Sequence, residues 1–99
     1  MSVKTRISED GVVMFWCPGC EAYHGVWTKV KNSRGAIWQW NGNLEKPTFK
    51  PSILVHPVEY KGGHTPLCHS FITDGNIRFL DDCTHHLKGQ TVPIPDEPE

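Results

Sequence analysis

Apolar and polar residues alternate along the chain in short segments, and glycine or proline separates most segments from the next. A period of two with many β-branched and aromatic residues is typical of strands that are half-buried in a sheet. The predicted strands cover residues 3–7, 12–16, 24–30, 36–40, 52–55, 68–73 and 77–80. We therefore predict a mainly β fold, a small antiparallel β domain with at most one short helical turn, at residues 81–89.

Turn residues set the connections between these strands. Asp74-Gly75-Asn76 predicts a tight hairpin, and a second is predicted at Glu9-Asp10-Gly11. We assign residues 1–92 to a single domain and residues 93–99, which contain three prolines, to an extended tail.

The chain has 99 residues and a net charge of −1, with acidic and basic residues interspersed. A domain of this size has a small core and often depends on a metal or on disulfides. No strong basic field favours nucleic acid, and no apolar run approaches the ~20 residues that cross a bilayer. Residues 1–7 lack an apolar signal-peptide region, so we expect a cytoplasmic protein with reduced cysteines and no membrane association.

Cys17-Pro18-Gly19-Cys20 has the composition of a zinc knuckle. Two thiolates at this spacing can bind one tetrahedral ion, and glycine permits a close approach to the sulfur atoms. Thioredoxin-like redox pairs share the spacing, but they precede a helix, and a strand pattern follows here. We predict Zn²⁺, with a redox pair or inert thiols as the alternatives.

Two further cysteines, Cys68 and Cys83, lie almost symmetrically about the hairpin turn at Asp74–Asn76. A hairpin closed there brings both to one end, so we predict a site formed by Cys17, Cys20, Cys68 and Cys83. The alternative ligands are His69 and His85. Because Cys68 and His69 point to opposite faces of a strand, only one of them can serve comfortably.

Several titratable residues remain near this end: His24, His69, His85 and Asp82. Imidazoles with a carboxylate can carry out acid–base catalysis, and they also support zinc ligands through hydrogen bonds. The catalytic role is therefore unassigned, with these four as candidates. The chain has no G-x-S-x-G nucleophile motif.

The chain has four tryptophans, of which Trp38 and Trp40 share one face of a predicted strand. Most such residues belong to a core, although aromatic side chains on a strand also stack on single-stranded nucleic acid. The nearby cations Lys29, Lys31 and Arg34 give that interpretation modest support.

Three blocks, "CPGC…H", "WNGN…PTFxPSI" and "CHSFIxDGxIxFLxDCTHxLxGQTV", resemble those of small proteins encoded by tailed phages and prophages, over roughly residues 15–92. Such proteins are sometimes labelled ammonia monooxygenases, which a chain without a membrane span or copper-type ligands does not support. The resemblance implies a cytoplasmic location in the host cell. It also implies importance, without roles, for the matching Cys17, Cys20, His24, Pro47, Thr48, Phe49, Pro51, Ser52, Cys68, His69, Ser70, Phe71, Gly75, Asp82, Cys83 and His85.

Three hypotheses of function follow. The first is an accessory protein of phage type, a zinc-stabilised and zinc-ribbon-like binding module that acts on a host or phage protein. The second is a small metal-dependent enzyme that uses His24, His69, His85 and Asp82. The third is a binder of single-stranded nucleic acid. The sequence indicates no oligomeric state.

Overall fold

The computed structural model describes residues 3–97, in which ten strands form two larger antiparallel sheets and a small hairpin. The first sheet has the order β1-β2-β3, with β1 at Thr5–Ile7, β2 at Val12–Cys17 and β3 at Ala22–Trp27. The second has the order β10-β9-β8-β5-β4, formed by β4 (Gln39–Trp40), β5 (Phe49–Val55), β8 (Cys68–Thr73), β9 (Asn76–Phe79) and β10 (Thr91–Pro93). The separate hairpin joins β6 (Glu59–Tyr60) to β7 (Gly63–His64).

The predicted mainly β fold is confirmed. Both predicted hairpins form, and residues 81–89 adopt turns rather than a helix. Residues 91–93 pair with β9 as a strand that the sequence did not predict. Ile94, which follows them, is fully buried. The division into a domain of residues 1–92 and a tail of residues 93–99 stays a prediction, and its outermost residues lie outside the described range.

Residues 3–97 contain no helix that is long and apolar enough to cross a membrane. The cytoplasmic location stays a prediction.

The core lies between the inward faces of the two sheets. Alternation in β2 turns Val13, Phe15 and Cys17 inward, and burial of such apolar surface is the main stabilising contribution. The second sheet contributes an aromatic and aliphatic set to the same cluster: Phe49, Ile53, Ile72, Ile77 and Phe79. Cys17 and Cys68 belong to this cluster as well, so the two sheets meet at their cysteines.

The outward face of the second sheet is defined by the alternation along β8. Cys68, Ser70 and Ile72 are buried, whereas His69 and Phe71 point outward. The pairing of β5 with β8 shifts register between Phe49 and Ile53, and is regular from Ile53↔Ser70 onward. Because Ile53 is buried, its neighbours Ser52 and Leu54 turn to the same outer face as His69.

Candidate active site and metal centre

A chain of hydrogen-bonded side chains links a serine, a histidine and an aspartate on the outer face of the second sheet. Ser52 Oγ lies 3.0 Å from His69 Nε2, and His69 Nδ1 lies 3.0 Å from Asp82 Oδ2. Ser52 and His69 come from the neighbouring strands β5 and β8, and Asp82 comes from the loop that follows β9. Diagonal neighbours on one face of paired strands are within reach of a long side chain, which explains the first contact.

The aspartate defines the tautomer of the imidazole. A carboxylate can only accept hydrogen bonds, so the proton on the His69 ring belongs to Nδ1. In the neutral ring Nε2 then carries a lone pair and accepts from the Ser52 hydroxyl. This is the arrangement that lets a histidine remove the proton of a serine nucleophile.

The backbone of His69 is held by the loop that carries Asp82. The thiol of Cys83 accepts from the His69 N–H at 3.2 Å and donates to the His69 carbonyl at 3.1 Å. Leu80 N–H donates to the same carbonyl at 2.9 Å. These contacts fasten the loop to β8 on both sides of Asp82 and so keep the carboxylate at the imidazole.

A second cluster lies on the inward side of the same strand. Cys17, Cys20, Cys68 and His85 each offer one ligand atom, and these atoms all lie within 4.8 Å of one another. The Sγ atoms of Cys17 and Cys68 are 3.9 Å apart, and all four cysteines of the chain are free thiols. Two sulfur atoms bound to one tetrahedral zinc at ~2.3 Å are about 3.8 Å apart, so the observed spacing fits such an ion.

The imidazole of His85 points into this cluster with an unused nitrogen. His85 Nε2 is buried and has no hydrogen-bond partner among the described residues. The ring packs edge-on against Phe79, with centroids 4.5 Å apart, and burial lowers its pKa. The neutral imidazole is the form that binds metals. Leu87 N–H donates to Nδ1 at 3.2 Å, so ligation through Nε2 would require the other tautomer and the loss of this hydrogen bond.

The packing around residue 19 explains why the knuckle has a glycine there. A Cβ at this position would overlap Cε1 and Nε2 of the His85 ring. The ring cannot retreat easily, because Phe79 packs against it. The close approach predicted for Gly19 is therefore an approach to His85.

The three clustered thiols share their protons unequally. Hydrogen bonds with Cys20 and Cys68 lower the pKa of Cys17, whereas the hydrogen bond with Cys17 raises the pKa of Cys20 to about 12 and raises that of Cys68. One thiolate is thus stabilised by two neighbouring thiols. Three thiolates at this spacing would require a cation, because like charges repel strongly at short range.

The structure separates the predicted ligands into two groups. Cys17, Cys20 and Cys68 lie together with His85, one of the two alternative ligands. Cys83 lies outside that group, with its thiol on the backbone of His69. A four-residue metal centre stays a prediction, and its geometry favours three sulfur atoms and one nitrogen.

The four catalytic candidates lie in different parts of the structure. His69 and Asp82 form the hydrogen-bonded chain with Ser52. His85 belongs to the thiol cluster. His24 packs edge-on against Phe15, with centroids 5.6 Å apart. It also lies beside the thiol cluster, where its hydrogen bond helps to lower the pKa of Cys17 and its charge helps to lower the pKa of His85.

Ser52 is the member of this hydrogen-bonded chain that the motifs did not indicate. It matched the resemblance, but it has no G-x-S-x-G frame around it. Its Oγ reaches His69 because β5 pairs with β8 and places Ser52 diagonally across from His69. No local pattern in a single sequence signals which strands pair.

Open hollows lie beside β5 on both sides of Ser52 along the strand. One, of about 1050 Å³, is lined by Lys50, Pro51 and Trp38, among others. The other, of about 370 Å³, is lined by Ile53–Pro57 and Trp38 and faces the loop that carries Arg34. The Trp38 indole N–H donates to the Ser52 carbonyl at 3.2 Å and separates the two.

Comparison with known protein families gives a match over most of the chain. The family model described as "Bacterial ubiquitination-like system serine protease (BubE)" matches residues 1–80. The chain belongs to this family. The segment matched to the BubE family contains Ser52 and His69, and Asp82 and His85 follow it. No curated protein and no solved structure matches the chain significantly. The predicted phage origin stays a prediction.

Proposed function

We propose that this chain is a serine protease that uses Ser52, His69 and Asp82, and that it acts on a protein of a bacterial ubiquitination-like system. The observation that carries the proposal is the pair of 3.0 Å contacts that join these three side chains. The description of the BubE family supplies the reaction class and the kind of system. The fold contributes two adjacent strands that hold the nucleophile and the base on one exposed face.

The residues have distinct roles in this mechanism. Ser52 Oγ attacks the carbonyl carbon of the scissile amide while His69 Nε2 takes its proton. Asp82 holds the ring in the required tautomer and stabilises the imidazolium. His69 then gives the proton to the leaving amine, and a water activated by the same nitrogen hydrolyses the acyl-enzyme.

We further propose that Cys17, Cys20, Cys68 and His85 hold one Zn²⁺ with a structural role. A set of three sulfur atoms and one imidazole is typical of tetrahedral zinc. Four protein ligands leave no open position for substrate, so the ion would stabilise the fold rather than take part in the reaction.

The proposed metal centre and the three catalytic residues share two segments of chain. Cys68 immediately precedes His69, and His85 follows Asp82 by three residues. An ion bound by Cys68 and His85 would join β8 to the loop carrying Asp82, beside the contacts already made by Cys83. When bound, the metal would support the geometry of Ser52, His69 and Asp82 from the inward side of the sheet.

This proposal changes the order of the three hypotheses. An enzyme becomes the preferred class, with Ser52 in place of His24 and His85 as a catalytic residue. A protein partner stays a prediction, now as the substrate. Binding of single-stranded nucleic acid also stays a prediction, and the half-buried Trp38 and Trp40 pack against the core.

Burst kinetics with p-nitrophenyl acetate test the proposal. An acyl-enzyme mechanism releases one nitrophenolate per protein molecule before steady turnover. We expect the burst from the native chain and none from Ser52→Ala. The matched control is Ser8→Ala, a change in the exposed turn before β2 that lines neither hollow, which should keep the full burst. A burst that survives in Ser52→Ala would contradict the proposed nucleophile.

A further inference from the structure

The outer edge of β5 beside Ser52 offers backbone groups for pairing. His69 directs its N–H and C=O toward Cys83 and Leu80, away from β5. The opposed pair Leu54↔His69 is therefore a pair without mutual hydrogen bonds, and the N–H and C=O of Leu54 face away from β8. On that side β4 pairs only with Phe49 and Lys50, and among residues 3–97 no backbone hydrogen bond outside the strand ladders involves Leu54.

The space beside this edge is open and shaped as a groove. The hollow of about 370 Å³ runs between Ile53–Val58 and the segments that carry His24 and Arg34. An added strand lies about 4.8 Å from its neighbour, so an extended peptide requires an open groove of this kind beside the edge. Ser52 is two residues from Leu54 along the same strand, which places the nucleophile at the end of the groove.

The Lys and Arg side chains that line the two hollows beside this edge give it positive charge. Arg34 lines the groove, and Lys29 and Lys50 line the larger hollow on the other side of Trp38. No carboxylate lines either hollow, and these three cations form no ion pair among the described residues. Free cations on both sides of a nucleophile favour a substrate with acidic residues.

The outward side chains nearest the nucleophile are apolar. Leu54 is 42% exposed and Phe71 is 44% exposed, and both lie on the face that carries Ser52 and His69. In a paired strand alternate side chains point to the same face. A substrate strand with apolar residues beside Leu54 and acidic residues beside the cations would therefore match both features.

We propose that the substrate binds as an extended, acidic segment that pairs with the backbone of Leu54 and extends the second sheet at the outer edge of β5. Its acidic side chains lie near Arg34, Lys29 and Lys50, and its apolar side chains contact Leu54 and Phe71. The proposal rests on the proposed function, since it names the substrate class of the same site. Main-chain pairing supplies affinity in this mode, and side-chain contacts supply selectivity.

NMR titration of ¹⁵N-labelled Ser52→Ala with a model peptide tests the docking without requiring catalysis. The probe is an octapeptide of alternating glutamate and valine, and the comparison peptide alternates lysine and valine. We expect the acidic peptide to shift the amide signals of Leu54 and its neighbours and to bind at least tenfold more tightly than the basic one. Equal affinities, or shifts confined to another surface, would overturn the proposal.

One change in the peptide and one in the protein distinguish the contribution of backbone pairing from that of charge. An ester in place of the central amide of the acidic peptide removes one backbone donor and should weaken binding about threefold to tenfold. Arg34→Glu should remove the preference for the acidic peptide. The control is Lys46→Glu, because Lys46 lies beside Gly75 at the opposite end of the sheet, and it should leave the preference intact. An unchanged preference in Arg34→Glu would contradict the assigned groove.

The burst assay distinguishes the two possible failures. If the native chain gives a nitrophenolate burst but neither peptide binds at β5, the docking proposal is wrong and the proposed function stands. If the acidic peptide binds at β5 but no burst occurs, the proposed function is wrong and the docking site stands.

Discussion

Individual side chains determine whether the site can react. Asp82 accepts from His69 Nδ1 at 3.0 Å, although its side chain is 52% exposed. Its main effect is therefore on the tautomer and orientation of the ring rather than on stability, since exposed ion pairs contribute little.

Asp82→Asn should lower kcat by about four orders of magnitude, because an amide can donate to Nδ1 and favour the wrong tautomer. The measurement is the rate of peptide hydrolysis, with thermal unfolding as the check on stability. The neighbouring Asp81→Asn is the matched control and should retain activity. A loss of activity that follows a loss of fold in Asp82→Asn would contradict the assigned role.

In the proposed mechanism, Cys83 positions His69 through its backbone. Cys83→Ala removes the acceptor and donor on the His69 backbone and should lower kcat more than it changes KM, since the substrate does not contact this thiol. Cys83→Ser keeps both hydrogen-bonding functions and should recover most of kcat. If Cys83 is instead a zinc ligand, both variants will lose zinc, which elemental analysis would show.

From the sequence, candidates could be proposed only where residues have a distinctive local context. His69 and Asp82 were candidates because they neighbour cysteines that suggest a metal site. Ser52 lies in a strand with ordinary neighbours, and its contact with His69 depends on the pairing of β5 with β8, which no local pattern reveals.

At the scale of elements, tight turns and paired strands bring distant segments together. The hairpin β8–β9 was predictable from Asp74-Gly75-Asn76, and its pairing brings the following loop back to the start of β8. The choice between Cys83 and His85 was not predictable, because β9 ends at Phe79 and the irregular loop after it decides which side chains turn inward. Ile94 was likewise missed, because its burial depends on β10.

Gly19→Ala tests the packing of the knuckle against His85. The added methyl group overlaps the imidazole ring, so we expect weaker zinc retention and a loss of stability of about 1–3 kcal/mol. A competitive chelator titration measures the first, and denaturant unfolding measures the second. Gly63→Ala is the control, since its Cβ would come no closer than 3.4 Å to Tyr60. Unchanged zinc affinity in Gly19→Ala would contradict the placement of His85.

At the scale of the whole molecule, the clustered cysteines join the two sheets. Cys17 ends β2 in the first sheet, and Cys68 begins β8 in the second. A metal ion between them would hold together a domain whose core is small. The three-stranded sheet would then depend on the ion for its attachment to the sheet that carries Ser52 and His69.

Removal of zinc by a chelator should therefore unfold the domain, because the binding energy of a structural ion contributes directly to folding. We expect loss of the β circular-dichroism signal and a red shift of tryptophan fluorescence, together with loss of activity. Re-addition of zinc should restore all three. A metal-free chain that keeps its fold and its activity would contradict the structural role.

Labelling with a fluorophosphonate, followed by peptide mass spectrometry, tests the central claim most directly. This reagent reacts with a serine only where a neighbouring base activates it. We predict one adduct per chain, located on Ser52 and abolished by His69→Ala. An adduct on another residue such as the buried Ser70, or no adduct on the folded native protein, would contradict the account.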